Sequence, residues 1–320
     1  MANFLKALFT GKSEDTKDDK EKNDHKNFEL FKYDGLRAQR MGQAEYAVKC
    51  FNEALAIKED FETISYLTNT QIQMGDLEEA RNNLRHMTEL EPALASTYLT
   101  LANVCFMLVD YEEMKTCSQK AVDLDENDPI SYLLLAKAEK GLKEEFNAIA
   151  HLTKAIQLKE DYIDAYLMRA EILLDMKQYA EAAKDAESIL NLISDDENAL
   201  LLRGKIKEAT GETEEALKDY TEITEINPFN EQAYLSLGQL LIAEKKFSEA
   251  IESFDESIEI NPNFARAYHE RGRAKLLSGD KDGSMEDMKK ALELNPNGEN
   301  GINGEFNNFK DLYANIPLGI

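Results

Sequence analysis

Residues Glu231 to Phe264 read EQAYLSLGQLLIAEKKFSEAIESFDESIEINPNF. The stretch holds two amphipathic helical patterns. Tyr234, Leu237, Gly238 and Leu241 mark the first, and Phe247, Ala250, Ile251, Phe254, Ile258 and Ile260 the second. Both follow the i, i+3, i+4, i+7 spacing that gathers apolar side chains on one helical face. A charged corner, Glu244-Lys245-Lys246, joins them. Asn261-Pro262 ends the second, because a residue before proline is steered out of the helical region. The stretch is thus a helical hairpin that cannot bury its apolar face alone. It needs copies of itself.

The copies are present. Counting positions within a 34-residue period, position 20 holds Ala47, Ala80, Met114, Ala148, Ala182, Ala216, Ala250 and Ser284. Position 8 is also mostly small: Gly35, Thr68, Ala102, Ala136, Ala170, Gly204, Gly238 and Gly272. Small residues at both places let two helices approach closely, which offsets the roughly 1 kcal/mol that a helical glycine costs. Position 4 is bulky (Phe31, Ile64, Tyr98, Tyr132, Tyr166, Leu200, Tyr234, Tyr268), and Pro92, Pro228, Pro262 and Pro296 recur at position 32. The period predicts eight repeats at 28–60, 61–94, 95–128, 129–162, 163–196, 197–230, 231–264 and 265–298. Met114, Ser118, Ala186 and Ser284 depart from the commoner Ala or aromatic at their positions.

Period, helix pair and this pattern of bulky, small and proline positions resemble the tetratricopeptide repeat (TPR) family. The resemblance spans Phe28 to about Gly298. It implies an all-α fold, a right-handed superhelical solenoid of antiparallel helix pairs. The first helix of each pair would line a concave groove that binds peptides or partner proteins.

Composition agrees with an all-helical chain and narrows its partners. Charged residues make up 31% of the 320 and the net charge is −25, which disfavours broad binding to nucleic-acid phosphates. An anionic membrane surface is disfavoured for the same reason, and no apolar run is long enough for stable membrane insertion. Cys50, Cys105 and Cys117 form no CxxC pair and suit a reducing, cytoplasmic compartment. The N-terminal MANFLKALFTGK lacks the features of a secretory signal.

Catalytic, cofactor and metal motifs are not apparent. His25, His86, His151 and His269 are scattered, with no HxxxH spacing. One structural pairing emerges from comparing repeats. Arg169, Arg203 and Arg271 stand at position 7 where Asp185, Asp219 and Asp287 stand at position 23. These predict ion pairs within a repeat, the guanidinium fork suiting a partly buried carboxylate.

In the family, positions 2, 5, 9, 12 and 13 of the first helix tend to face the groove. Here they include the basic Lys32, Arg40, Lys137, Lys140, Lys205, Arg266 and Arg273, and the acidic Glu29, Glu62, Asp164, Glu171, Asp175 and Glu208. That face is near neutral, whereas the whole array carries 30 Lys and Arg against 53 Asp and Glu. The candidate peptide groove comprises Tyr66, Asn69, Leu99, Asn103, Phe106, Met107, Leu133, Lys137, Lys140, Lys205, Arg266 and Arg273. Apolar and Met side chains beside Asn and Lys suit a peptide with apolar groups and some negative charge. A carboxylate clamp is not supported, because Leu36, Tyr66, Ser96 and Thr100 stand where its polar and basic residues belong. The function read from these features is a non-enzymatic scaffold or adaptor. The alternative is a regulatory or sensor subunit recognising a small molecule or sugar polymer.

The termini lie outside the repeats. Residues 1–27 read as a short apolar segment (Phe4, Leu5, Leu8, Phe9) followed by a charged flexible linker over Thr10–Asn27. The apolar segment either docks on the array or tethers a partner. Residues 299–320 read as a turn-rich connector and a short helix (Phe306, Phe309, Leu312, Tyr313, Ile316) that caps the last repeat or engages a partner.

Overall fold

The computed structural model describes the backbone of residues 17–296 and the side chains of residues 20–296. Among the described residues there are sixteen helices and no strand. The chain divides into two compact units, Met1–Ala165 and Tyr166–Ile320, with the boundary inside a helix. In the first unit run α1 (Lys17–Arg40), α2 (Ala44–Ile57), α3 (Phe61–Met74), α4 (Leu77–Leu90), α5 (Ala95–Met107), α6 (Tyr111–Leu124), α7 (Pro129–Gly141) and α8 (Glu145–Leu158). Helix α9 (Ile163–Asp175) crosses the boundary. The second unit continues with α10 (Tyr179–Leu192), α11 (Glu197–Thr210), α12 (Thr213–Ile226), α13 (Glu231–Ala243), α14 (Phe247–Ile260), α15 (Ala265–Ser278) and α16 (Lys281–Leu294). We call the odd-numbered helices A helices and the even-numbered ones B helices. A and B helices of one repeat pack together, and each B helix within a unit packs on the next A helix. A helices of neighbouring repeats also touch, as α1–α3, α5–α7 and α13–α15 do.

Local chemistry sets the ends. Asp60, Asp110, Asp128, Asp196, Asn230 and Asp280 accept a backbone N–H of the first turn and so start α3, α6, α7, α11, α13 and α16. Between A and B helices one residue is always left-handed. Gly42, Gly75, Gly211 and Gly279 fill this place in four repeats, and Val109, Lys143, Lys177 and Lys245 in the others. Val109, at φ 60°, is the costly case, because its branched Cβ crowds the left-handed backbone.

The helix crossing follows a volume rule. A Cβ added to Gly238 would lie 2.1 Å from Phe254 Cζ, and one added to Gly204 would lie 2.4 Å from a Tyr220 ring carbon. Glycine at position 8 leaves room for an aromatic at position 24. Where position 8 is Ala102, Ala136 or Ala170, position 24 shrinks to Ser118, Leu152 or Ala186, all buried. The departures at Ser118 and Ala186 are therefore matched to their partners. Ser118 Oγ is nevertheless buried with no hydrogen-bond partner.

One expectation is corrected. The segment Lys17–Asn27 is helical, as the first part of α1, rather than a flexible linker. Its Lys- and Asp-rich sequence extends a helix that is already nucleated and packed from Phe28 onward. The N-terminal apolar segment and the C-terminal connector and helix lie outside the described residues.

Candidate functional site

In the first compact unit, α1, α3, α5 and α7 expose the side chains singled out above. Two places stand out. The first is an open cavity of about 570 Å3 lined by Gln39 and Arg40 of α1 and Tyr66, Asn69, Ile72 and Gln73 of α3. Gln39 Nε2 donates to Thr70 Oγ1 at 3.0 Å, which fixes one side of this cavity. Tyr66 stacks against Phe51, centroids 6.0 Å apart, and donates its hydroxyl to Glu62 at 2.6 Å. Asn69, Gln73 and Arg40 are exposed.

Charge near this cavity is already sorted. Lys32 Nζ donates to Asp60 at 3.0 Å and to Glu62 at 2.6 Å. Burial lowers the Lys32 pKa, but these two carboxylates outweigh it and hold the ammonium above its usual value. Glu62 is held below the usual carboxylate range, first by the hydrogen bond from Lys32 and then by that from Tyr66. Glu62 is thus neutralised within the chain, and Lys32 is already held by its two carboxylates. This adds a physical reason against a clamp in that register.

The second place joins α5 and α7. Lys137 Nζ lies 3.7 Å from the centre of the Phe106 ring, a close cation–π contact, and no carboxylate among the described residues pairs with it. Phe106 also leans on Tyr111, centroids 6.4 Å apart. Met107 is exposed, and Leu99, Leu133 and Lys140 are half-buried. Asn103 donates its amide to the Leu99 carbonyl at 3.0 Å, one turn back on its own helix. The structure therefore brings Tyr66 with Asn69, and Phe106 with Lys137. Lys205 and Arg266 are exposed on α11 and α15 of the second unit. Arg273 is drawn to the buried Glu270 at 3.4 Å.

The Arg–Asp pairs have close geometry. Arg169 Nε and a terminal nitrogen donate to Asp185 at 2.8 and 2.6 Å. Arg203 donates likewise to Asp219 at 3.0 and 2.7 Å, and Arg271 to Asp287 at 2.8 and 2.5 Å. Burial raises the Asp287 pKa, but Arg271 and Lys275 overcome it and leave the carboxyl below its usual range.

Sequence reasoning missed the companion of these pairs. Position 11, one turn after position 7, also reaches position 23. Lys207 meets Asp219 at 2.9 Å and Lys275 meets Asp287 at 2.8 Å. In other repeats the same two positions hold Gln71 with Asn83 at 2.8 Å, and Glu139 with His151 at 2.7 Å. In the third repeat they hold Cys105 and Cys117, both buried free thiols. Burial above all pushes the Cys117 thiol up to about 12, and it raises Cys105 as well. Neither thiol is poised as a nucleophile. Comparing positions 11 and 23 across the repeats would have found this crossing.

Among the described residues no three His, Cys, Asp or Glu side chains converge to hold a metal, and no helix is long and apolar enough to cross a membrane.

Comparisons with known proteins give the fold a family. Two sequence-family models, both of the tetratricopeptide repeat, match residues 231–264 and residues 95–128, 163–196, 197–230 and 265–297. No curated protein matches the chain significantly. Among solved structures, a tetratricopeptide repeat protein from Parabacteroides merdae is similar at 18% identity, with a TM-score of 0.60 over 75% of this chain and 94% of that one. The Cut9–Hcn1 hetero-tetramer of the APC/C is similar at 14% identity, with a TM-score of 0.53 over 79% of this chain and 50% of that one. At these identities the likeness concerns the fold alone. With five repeats matched over more than half of its length, this chain belongs to the tetratricopeptide repeat family.

Proposed function

We propose that the exposed face of α1, α3, α5 and α7 binds a segment of a partner protein that carries apolar side chains together with Asp or Glu. The TPR fold is typical of protein–protein interaction, and TPR proteins are generally non-enzymatic scaffolds. The role read here is that of a scaffold or adaptor. Its three buried thiols suit the reducing cytoplasm.

One observation carries the reading. In a chain of net charge −25, the Lys137 ammonium has no carboxylate partner among the described residues and sits over the Phe106 ring, beside the exposed Met107. A cation left unpaired by so acidic a protein is available to an acidic partner, and the adjoining ring and thioether supply apolar contact. Arg40 and the amides of Asn69 and Gln73 offer similar chemistry at the α1–α3 cavity. Lys205 and Arg266 do so in the second unit.

Display selection of peptides on the full chain tests this. The wild type should enrich peptides that combine Asp or Glu with Leu, Ile or Phe. The Phe106→Ala/Lys137→Glu variant should lose that enrichment. Recovery of the same peptides by both proteins would refute the placement. Failure to enrich any peptide, with a small molecule or oligosaccharide raising the melting temperature instead, would favour the sensor reading.

A further inference from the structure

The first repeat leaves a helix face uncovered. Position 3 of the A helix is buried in all the later repeats, where Thr63, Thr97, Ser131, Ala165, Ala199, Ala233 and Ala267 are at most 4% exposed. Position 10 behaves in the same way, with Thr70, Val104, Ala138, Ile172, Ile206, Leu240 and Ala274 at most 5% exposed. Helices α3, α5 and α7, and likewise α11, α13 and α15, each pack on the B helix before them, whereas among the described residues no helix precedes α1. In α1 position 3 is Leu30, 53% exposed, position 6 is Tyr33, 64% exposed, and Met41 just past the helix end is 60% exposed. With Arg37 they lie three and four residues apart and form one stripe. The later repeats keep position 3 small so that a neighbouring helix can approach. Leu30 instead presents bulk.

We infer that the chain's own N-terminal segment, Asn3–Phe9, packs on this Leu30–Tyr33–Met41 stripe and takes the place of a preceding B helix. Three observations select this occupant. Phe4, Leu5, Leu8 and Phe9 are spaced to form one apolar strip about two helical turns long. The tether is long enough: Thr10–Thr16 spans up to about 25 Å when extended, whereas Leu30 and Tyr33 lie about 20 and 24 Å along α1 from Lys17 at 1.5 Å per residue. The segment therefore returns along α1 in the opposite direction, the sense of any consecutive helix pair. A tether this short also holds the segment at a local concentration of order millimolar, above that of a second copy of the chain in solution. The stripe lies apart from the Lys32, Gln39 and Arg40 positions, so this inference does not depend on the peptide-binding reading.

The test is disulfide trapping in the full chain with Leu8→Cys and Leu30→Cys together. Cys50, Cys105 and Cys117 are buried and stay out of the exchange. Oxidised glutathione is the oxidant, and a non-reducing gel separates cross-linked monomer from dimer. The control pair is Leu8→Cys with His25→Cys, exposed on another side of α1 and nearer the tether. A loose tether would trap the His25 pair at least as fast. Docking predicts that the Leu30 pair closes within one chain about tenfold faster or more, at a rate independent of protein concentration. Phe4→Ser with Phe9→Ser in the same chain should remove that advantage. Equal or slower closure of the Leu30 pair would overturn the inference. So would cross-links between chains that rise with concentration, because a second copy would then cover the stripe.

Discussion

Replacing Asp219 tests how the helix crossings of the second unit are held. Its side chain is 3% exposed and takes two hydrogen bonds from Arg203 and one ion pair from Lys207. Removing one partner of a buried pair costs about 3–5 kcal/mol. Arg203 and Lys207 keep 27% and 20% of their side chains exposed and can turn toward water, so Asp219→Ser falls at the low end, about 3 kcal/mol. Arg203→Leu leaves Asp219 with Lys207 alone and costs about 2 kcal/mol, the worth of a charge-assisted hydrogen bond. The seventh repeat shows how the same crossing is made without charge. It holds Leu237, Leu241 and Ser253, all buried, at the three equivalent positions. The triple variant Arg203→Leu/Lys207→Leu/Asp219→Ser copies that solution. Its remaining penalty is one unpartnered hydroxyl, as at Ser253, or about 1 kcal/mol. The triple variant should therefore be more stable than the Asp219→Ser single variant by about 2 kcal/mol. Urea unfolding followed by circular dichroism gives the global effect. Amide exchange in α11 and α12 gives the local one, which matters because repeat arrays lose stability repeat by repeat. A triple variant no more stable than Asp219→Ser would refute this account of the crossing.

Two further perturbations probe the local rules. Val109→Gly relieves a left-handed β-branched residue that is 66% exposed, so it should raise stability by about 1 kcal/mol despite the extra freedom of glycine when unfolded; thermal denaturation checks it, and a lower melting temperature would count against strain at this turn. Gly238→Ala drives a methyl into Phe254 and should cost about 1–3 kcal/mol, the range for overpacking. Adding Phe254→Leu, the pairing that Ala136 makes with Leu152, should restore part of the loss, and a double variant worse than the single would break the volume rule.

Most of the fold is legible in the chain because each repeat solves the same packing problem with the same residue sizes. The A helices α3, α5, α7, α9, α11, α13 and α15 begin at Phe61, Ala95, Pro129, Ile163, Glu197, Glu231 and Ala265, where the 34-residue period places each new repeat. Small residues at positions 8 and 20 carry that signal through sterics alone. The start of α1 is not legible in the same way. Lys17–Asn27 has no apolar face to reveal a helix, and its helicity is inherited from the packed turns that follow. Charge is legible by position but not by partner. Lys32 occupies a groove position, yet Asp60 and Glu62, about 30 residues away, already hold it. The crossing between positions 11 and 23 escaped because its chemistry changes from amides to His–Glu to Lys–Asp while its geometry stays the same. For the groove, periodicity indicates which side chains are exposed together. Only geometry shows that Lys137 rests on Phe106.

The most direct test of the central claim is a charge reversal across the proposed interface. A peptide selected on the wild-type chain is titrated calorimetrically against wild type and Lys137→Glu, and a second peptide with its acidic residues changed to Lys is titrated against both. Losing an attraction and adding a repulsion is worth about 1.4 kcal/mol or more at a partly exposed site, hence a tenfold change. The account predicts that Lys137→Glu binds the acidic peptide at least about tenfold more weakly and that the basic peptide reverses the preference. Equal affinities of both proteins for both peptides would contradict it.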